Sequence, residues 1–359
     1  MRIGIASGDR IPASKSYDGQ EHWGGAGWVR LMQYASRLEE QGVEIYGGIL
    51  VWNRDHFSID VADGAEVLVD VDIVYIQRLM HDGLATHIKQ AQAYGQVVIN
   101  DLDDWYWGLD TSNSAFDSSH PKLNPKENTN HYKKVLNASS VVTVSTPYLA
   151  DRIKSFVHCP IVLLENTVDV GRFTVHEHTD SNVPVVGWVG STNHRSGDLE
   201  VLRGVVNPLY DNGEIKLQHS GAHLNSPTAS SKWGVPDEAV LNVPACDPQD
   251  YPNLLTMDIG IAPLRDTPFN HAKSDIKLLE YSSAGIPWIA SSLSAYNALN
   301  KEWGLGRLAK KPLDWQKHIR ALKDPNARAT EGNALREAVW QRDIGVGTKR
   351  LLGFLESLL

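Results

Sequence analysis

The chain has 359 residues, too many for one ordinary core and enough for two, with 42% hydrophobic and 21% charged residues, the balance of a water-facing globular protein. A formal net charge of −9 leaves no overall basic footprint for nucleic acid or an anionic membrane. No apolar run approaches the ~20 residues of a membrane span, and two cysteines, Cys159 and Cys246, form neither a metal-binding spacing nor a disulfide framework, so a reducing cytoplasm is the expected compartment.

Residues 2–6 read as a strand that runs into a Gly turn, not as a signal peptide. A loop rich in Gly, Ser and Asp follows, through Gly24-Gly-Ala-Gly27, and then a helix from Trp28 to Gln41 that stops at Gly42. Val43–Leu50, Asp72–Gln77, Gln96–Asn100 and Val141–Ser145 supply further strands, with a helix over roughly 128–138 and a closing strand at Ile161–Glu165. Thr146 and Pro147 spell a helix cap followed by a first-turn proline. The pattern restarts at Pro184–Gly190 and continues through strands at Lys216–Gly221, Ala239–Val243, Asp258–Ala262 and Trp288–Ala290. Strands alternating with helices predict parallel, doubly wound sheets, here two Rossmann-like halves. The polar stretch 174–183 reads as the linker, and Leu335–Leu359 is helical in pattern with a break near Gly345–Gly347.

Residues 273–291 are the most informative stretch. They read as a helix capped by Ser274 or Asp275, ended by Gly285 and Pro287, and followed by an apolar strand. At about 100° per residue, Lys273, Lys277, Glu280 and Ala284 share one stripe. Two cations near a helix N-terminus suit an anion, and a carboxylate one turn on suits a ribose diol. The plainer alternative is a solvated stripe holding a Lys–Glu ion pair.

Asp258-Ile-Gly-Ile-Ala-Pro-Leu264, Lys277-Leu-Leu-Glu-Tyr281 and Ala284-Gly-Ile-Pro287 together resemble the donor-sugar segment of GT-B glycosyltransferases of the retaining, family-4-like group. The Asp-Leu-Asp-Asp and Lys-Ser-x-x-Lys spellings look like those of glycosyltransferases encoded by bacteria and their viruses. The resemblance implies two Rossmann-like domains facing across a cleft, an acceptor domain over 1–173 and a donor domain over 184–335. Residues 336–359 would then form a helical segment packing back on the first domain. It implies a nucleotide-diphosphate-sugar, UDP- or GDP-linked, as co-substrate, with no prosthetic group, and assigns the ribose to Glu280. The family places a second Glu eight residues earlier against the donor sugar; that position here is Ala272. The acceptor stays open among protein, glycan and hydroxylated DNA base.

Other motifs fit around this frame. Gly24 and Gly25 lie between strand and helix, where glycine lets backbone approach a ligand, and the loop looks similar to the one that faces the donor diphosphate in GT-B enzymes. Gly190, Ser191, Thr192 and Arg195 follow the first strand of the second half and, with Lys273, Ser274 and Lys277, are candidates to grip a diphosphate. Asp101, Asp103 and Asp104 follow a strand at its C-terminal end, facing the crevice of a doubly wound sheet, where they could orient an acceptor or sugar hydroxyl. The plainer role of Asp103 or Asp104 is to cap a helix over Trp105–Trp107. The D-x-D spelling also invites a metal, but two tandem Rossmann halves argue against the architecture that uses one. Fourteen histidines show no H-E-x-x-H or comparable spacing, so no metal site is expected.

Overall fold

The computed structural model describes residues 1–16, 20–111, 113, 116, 128–192, 197–223, 226–247 and 249–359. The chain forms two compact units: unit 1 is Met1–Leu109, Asp117–Thr167 and Ile344–Leu359, and unit 2 is Asp110–Phe116 and Val168–Asp343.

Unit 1 holds a six-stranded parallel sheet, and the strands of the two large sheets and of a three-stranded one are numbered here in order, leaving aside the short antiparallel pair Arg10–Ile11 and His22–Trp23. They are β1 (Arg2–Ser7), β2 (Glu44–Gly47), β3 (Ile49–Asn53), β4 (His56–Asp60), β5 (Leu68–Asp70), β6 (Ile73–Gln77), β7 (Val97–Leu102), β8 (Val141–Val144) and β9 (Ile161–Leu163). The sheet order is β9-β8-β7-β6-β1-β2, while β3-β4-β5 make a separate antiparallel sheet. The expected single strand Val43–Leu50 is therefore two strands in two sheets. The chain turns at Gly48, where a Cβ would meet the Asp60 carbonyl and Ile59. The small sheet docks through Ile59 on Gly4 of β1, a contact that only glycine permits, since a Cβ there would lie 2.5 Å from the Ile59 side chain.

The expected helix 28–41 is broken. Helix α1 (Gly25–Arg30) ends at Leu31, whose φ of −129° is not helical, and a second helix follows at Ala35–Glu39. Helices α2 (Leu84–Tyr94), α3 (Asn128–Ala138) and α4 (Pro147–Ile153) complete the connections. Thr146 caps α4, accepting the Leu149 N–H, with Pro147 in the first turn as its sequence predicts. The core on one sheet face joins Ile3, Ile5, Ile73 and Tyr75 to Leu31, Tyr34 and Leu38, and to Ile344, Leu351 and Leu355 of the C-terminal helix Ile344–Glu356.

Unit 2 has its own parallel sheet of β10 (Val185–Val189), β11 (Lys216–Ala222), β12 (Val240–Pro244), β13 (Ile259–Ala262), β14 (Trp288–Ser291) and β15 (Arg307–Ala309), in the order β12-β11-β10-β13-β14-β15. Both faces are buried: Val186, Trp188 and Ile289 enter one core, and Val189, Ala262 and Trp288 the other. Helix α5 (Ile276–Ser283) lies on the second face. Its Tyr281 ring covers Gly260, donates its hydroxyl to the Ile261 carbonyl at 3.1 Å and accepts the Val189 N–H at 3.3 Å. Gly285, at φ +67°, closes α5 as the sequence predicts.

The change of unit falls at Thr167/Val168, before the predicted linker, because Val168, Val170 and Phe173 are buried in the unit 2 core. Likewise Leu335 and Val339, at the end of α6 (Pro325–Ala338) and just after it, belong to unit 2. The helical break sits at Asp343 rather than at 345–347: Asp343 is extended, and its carboxylate accepts the Val170 N–H at 3.2 Å. Gly347 lies within the following helix, where a Cβ would come within 2.6 Å of Thr167.

Candidate functional site

In each sheet the strand order reverses at one point, beside β1 and β6 in unit 1 and beside β10 and β13 in unit 2. Ligands of doubly wound sheets bind at the carboxyl ends of the strands there. Most of the sequence-predicted site residues cluster at these two points.

In unit 2, β10 ends at Gly190, whose φ of +140° an L-residue rarely adopts. Its N–H donates to the Ser220 carbonyl at 2.8 Å and its own carbonyl accepts from His219 Nε2 at 2.9 Å. Burial pushes the His219 imidazole toward its neutral form, and the ring stacks on Trp188 with centroids 5.3 Å apart. From the first turn of α5, Lys277 Nζ reaches back and donates to the Val189 carbonyl at 2.7 Å, 3.7 Å from a Glu280 carboxylate oxygen. That same oxygen, Glu280 Oε2, accepts the Tyr251 hydroxyl at 2.5 Å. Lys277 and Glu280 thus do pair, but on a largely buried face, 15% and 13% exposed, not on the solvated stripe of the plainer alternative. Ser191 is half-buried beside Gly190, and Thr192 is buried with no hydrogen-bond partner for its hydroxyl among the described residues.

Several expectations for this segment need correction. Helix α5 starts at Ile276, so Lys273 is not on the Lys277–Glu280 stripe. It lies in the preceding turn with Ser274, its ammonium 4.4 Å from the Phe269 ring centroid. Asp275 occupies the cap position with no side-chain bond to a helix N–H, its carboxylate pairing instead with Arg342 at 3.2 Å. Ala272 is fully buried and offers no polar group. Arg195 lies outside the described residues.

In unit 1, the carboxyl ends of β1, β6 and β7 gather Asp9, Arg78, Asp103, Asp104 and Tyr106. Arg78, with φ +57°, donates from Nη1 to both oxygens of Asp9 at 2.7 and 2.8 Å and lies 5.4 Å over the Tyr106 ring. The Tyr106 hydroxyl donates to Asp103 at 3.2 Å. Burial raises the Asp103 carboxyl to about 7; Arg78 pulls it back, while Asp104, Asp9 and Asp101 push it further up. A carboxyl poised there can hold or release a proton near neutral pH.

Asp101 does different work. It is fully buried and takes both arms of Arg30, Nη2 to Oδ1 at 2.6 Å and Nε to Oδ2 at 3.0 Å, together with the Thr143 hydroxyl at 2.6 Å. Arg30 Nη1 continues to the Leu164 carbonyl and Asn166. The expectation that Asp101 faces a ligand is corrected: its lone pairs are spent inside the fold. Gly24 and Gly25 also have a local reason. The Gly24 N–H donates to the Asp9 carbonyl at 2.9 Å, and a Cβ at Gly24 would crowd Asp9 at 3.1 Å, whereas Gly25 is open. Arg30, Arg78, Asp9 and Tyr251 join the site without a sequence motif to mark them; Arg78 and Asp9 carry the one usable signal, a charged residue just past a strand end. Beside this cluster, a cavity of about 440 Å³ is lined by Ser7, Arg10, Lys15, Trp52, Asp82 and His87, with Trp52 stacked on His87 at 4.4 Å.

Among the described residues no helix is long and apolar enough to cross a membrane. No protein-family model matches the chain. The chain is 23% identical over 188 residues to a candidate teichuronic acid biosynthesis glycosyltransferase of Bacillus subtilis, TuaH; the match covers 47% of this chain and 45% of that protein, less than half of its length. Among solved structures, it resembles sucrose-phosphate synthase from Thermosynechococcus elongatus, with a TM-score of 0.68 at 14% identity, covering 100% of this chain and 99% of the other. It resembles Anabaena HepE in complex with UDP at TM-score 0.64 and 14% identity over 99% and 100% of the two chains. A glycosyltransferase from Rickettsia africae matches at TM-score 0.66 and 12% identity over 99% and 98%. HepE has also been solved with UDP-glucose. With two six-stranded parallel sheets, each in its own Rossmann-like unit, the chain has the GT-B fold.

Proposed function

We propose that the protein is a glycosyltransferase that moves a hexose or pentose from a UDP- or GDP-sugar to an acceptor hydroxyl, with retention of configuration and without a catalytic metal. The observation that carries this reading is the cluster at the end of β10. It combines an ammonium (Lys277), a positive-φ glycine (Gly190), a buried hydroxyl with no partner among the described residues (Thr192) and a carboxylate one turn away on the helix that carries Lys277 (Glu280). In this reading Lys277, Ser191 and Thr192 hold the diphosphate, helped by Lys273, Ser274 and Arg195, and Glu280 accepts the ribose diol. The nucleotide ligands of HepE support a UDP-linked donor.

The sugar C1–O bond to the leaving phosphate breaks as the acceptor oxygen bonds C1, and the acceptor proton passes to the leaving diphosphate. Catalysis is positioning and stabilisation of the charge that develops on that diphosphate. Asp103 and Asp104, rather than Asp101, orient the acceptor hydroxyl, and the cavity beside Trp52 is its seat. The similarity to TuaH favours a cell-surface glycan over a protein or a hydroxylated DNA base as acceptor. Both cysteines are free, in keeping with a cytoplasmic site of action.

Ala272 favours a second reading, since a buried alanine cannot hold the donor sugar as a carboxylate would: a protein that binds the nucleotide-sugar without turnover, beside which an epimerase of the same fold is the other alternative. Incubation with donor alone, and with donor plus a glycan acceptor, separates the three. The transferase consumes donor only when acceptor is present. An epimerised donor, or tight binding with no product under any acceptor, overturns the proposal.

A further inference from the structure

At the opposite end of the unit 2 sheet, just before β13, three potential ligands converge that the nucleotide-sugar site does not use. His176, His178 and Asp258 present one donor atom each, all within 4.8 Å of one another. His176 Nε2 is 3.3 Å and His178 Nδ1 3.9 Å from the same Asp258 oxygen, Oδ1. Ligands about 2.0–2.2 Å from a tetrahedral ion stand roughly 3.3–3.6 Å apart, so His176 and Asp258 already have that spacing and His178 must move in to match it.

The surroundings are already those of a ligand set. His178 Nε2 donates to the Gly285 carbonyl at 3.0 Å, which fixes the tautomer and turns the Nδ1 lone pair toward Asp258. That Nδ1 is buried and has no hydrogen-bond partner among the described residues. On the carboxylate, Oδ2 is held by the Val185 N–H at 2.9 Å and the Thr179 hydroxyl at 3.2 Å, and Oδ1 by the Thr179 N–H at 3.1 Å. The Asp258 charge is countered in part by Arg328, whose Nε stands 4.0 Å from Oδ1. The other guanidinium nitrogens are committed to the carbonyls of Leu322, Lys323, Thr179 and Ser181, so Nε alone competes for that oxygen.

We propose that His176, His178 and Asp258 form a site for a first-row divalent metal ion, with Zn²⁺ the best fit to two imidazoles, one carboxylate and a fourth position left to water. The ion pins the segment 174–183 to the start of β13 and the turn after α5, so its role is structural. It is independent of the proposed transferase reaction. No ligand spacing in the sequence reveals the trio, because His-x-His at 176 and 178 finds its third partner some eighty positions on.

The test uses the full chain, stripped with chelator and dialysed. Zn²⁺ titrated by calorimetry is expected to bind at one equivalent and to raise the unfolding temperature, and Co²⁺ to give the intense visible absorption of a tetrahedral site. His178→Gln and His176→Gln should each weaken Zn²⁺ binding at least about 100-fold, the upper end of what a lost supporting partner costs, and remove the stabilisation. If His178→Gln does not fold, His176→Gln decides alone, because the only described hydrogen bond of its side chain is to Asp258. No Zn²⁺-linked stabilisation in the wild type, or the same stabilisation in the folded variants, overturns the proposal.

Discussion

Arg30 and Asp101 form a two-pronged ion pair in the core of unit 1, both side chains within 5% of full burial. The pair links α1 to the carboxyl end of β7, and Asn166 extends it to the segment after β9. Removing one charge leaves the other uncompensated, which costs roughly 3–5 kcal/mol in a buried pair. Asp101→Asn is therefore expected to lower the denaturant midpoint strongly, with loss of activity following loss of fold. An Asn variant as stable as the wild type but inactive would return Asp101 to the ligand-facing role.

Asp103 makes the opposite prediction. Its folded-state carboxyl titrates near 7, above the ordinary 3.8, chiefly because of burial. The folded protein then holds a proton that the unfolded chain has released, and stability falls as pH rises from about 4 to about 7. Asp103→Asn removes that loss. Urea unfolding should show the variant gaining on the wild type between pH 5 and pH 8 and matching it near pH 4. The same change should slow transfer at pH 8 if the ionised carboxylate orients the acceptor. A wild-type minus variant stability difference that does not move with pH rules out the raised carboxyl.

Transfer should be unchanged in excess chelator when assayed well below the unfolding temperature, because Asp101 is taken up by Arg30 and Asp103 accepts the Tyr106 hydroxyl beside the Arg78 charge. Loss on chelation with rescue by Mn²⁺ or Mg²⁺ would overturn the metal-free mechanism.

What the sequence reveals follows the range of the interaction. The parallel strands are legible because buried strands read as continuous apolar runs, and the ends of α4 and α5 because Thr146-Pro147 and Gly285 act within a turn. Long-range pairing is not legible. Nothing local in Val43–Leu50 says that Gly48 must admit Ile59 and Asp60, so one strand is read where two sheets begin. Asp101 reads as exposed until Arg30, 71 positions earlier, is seen beside it. Lys273 reads as helical because periodicity alone does not show that α5 waits until Ile276. Tyr251 escapes notice for the same reason: its partner Glu280 is 29 positions away.

Glu280 decides the nucleotide assignment. Its Oε2 holds the Tyr251 hydroxyl at 2.5 Å and stands 3.7 Å from the Lys277 ammonium, itself anchored to the Val189 carbonyl. A carboxylate so fixed can accept both hydroxyls of a ribose, a charge-assisted geometry whose orientation is set before the ligand arrives. Glu280→Gln keeps the shape and one acceptor but removes the charge. UDP or GDP binding should weaken by about 1.5–3 kcal/mol, the range for hydrogen bonds to charged groups, or roughly 10- to 100-fold in affinity. The fold should survive, because the change leaves no cavity. Tyr251→Phe serves as the comparison: it frees the carboxylate without touching its charge, so it should shift affinity far less. If Glu280 serves only to pair with Lys277 and Tyr251, both variants would lower stability and neither would alter nucleotide affinity. Calorimetric titration of the three proteins separates the cases, and equal affinities across them would sink the ribose assignment together with the donor site built around it.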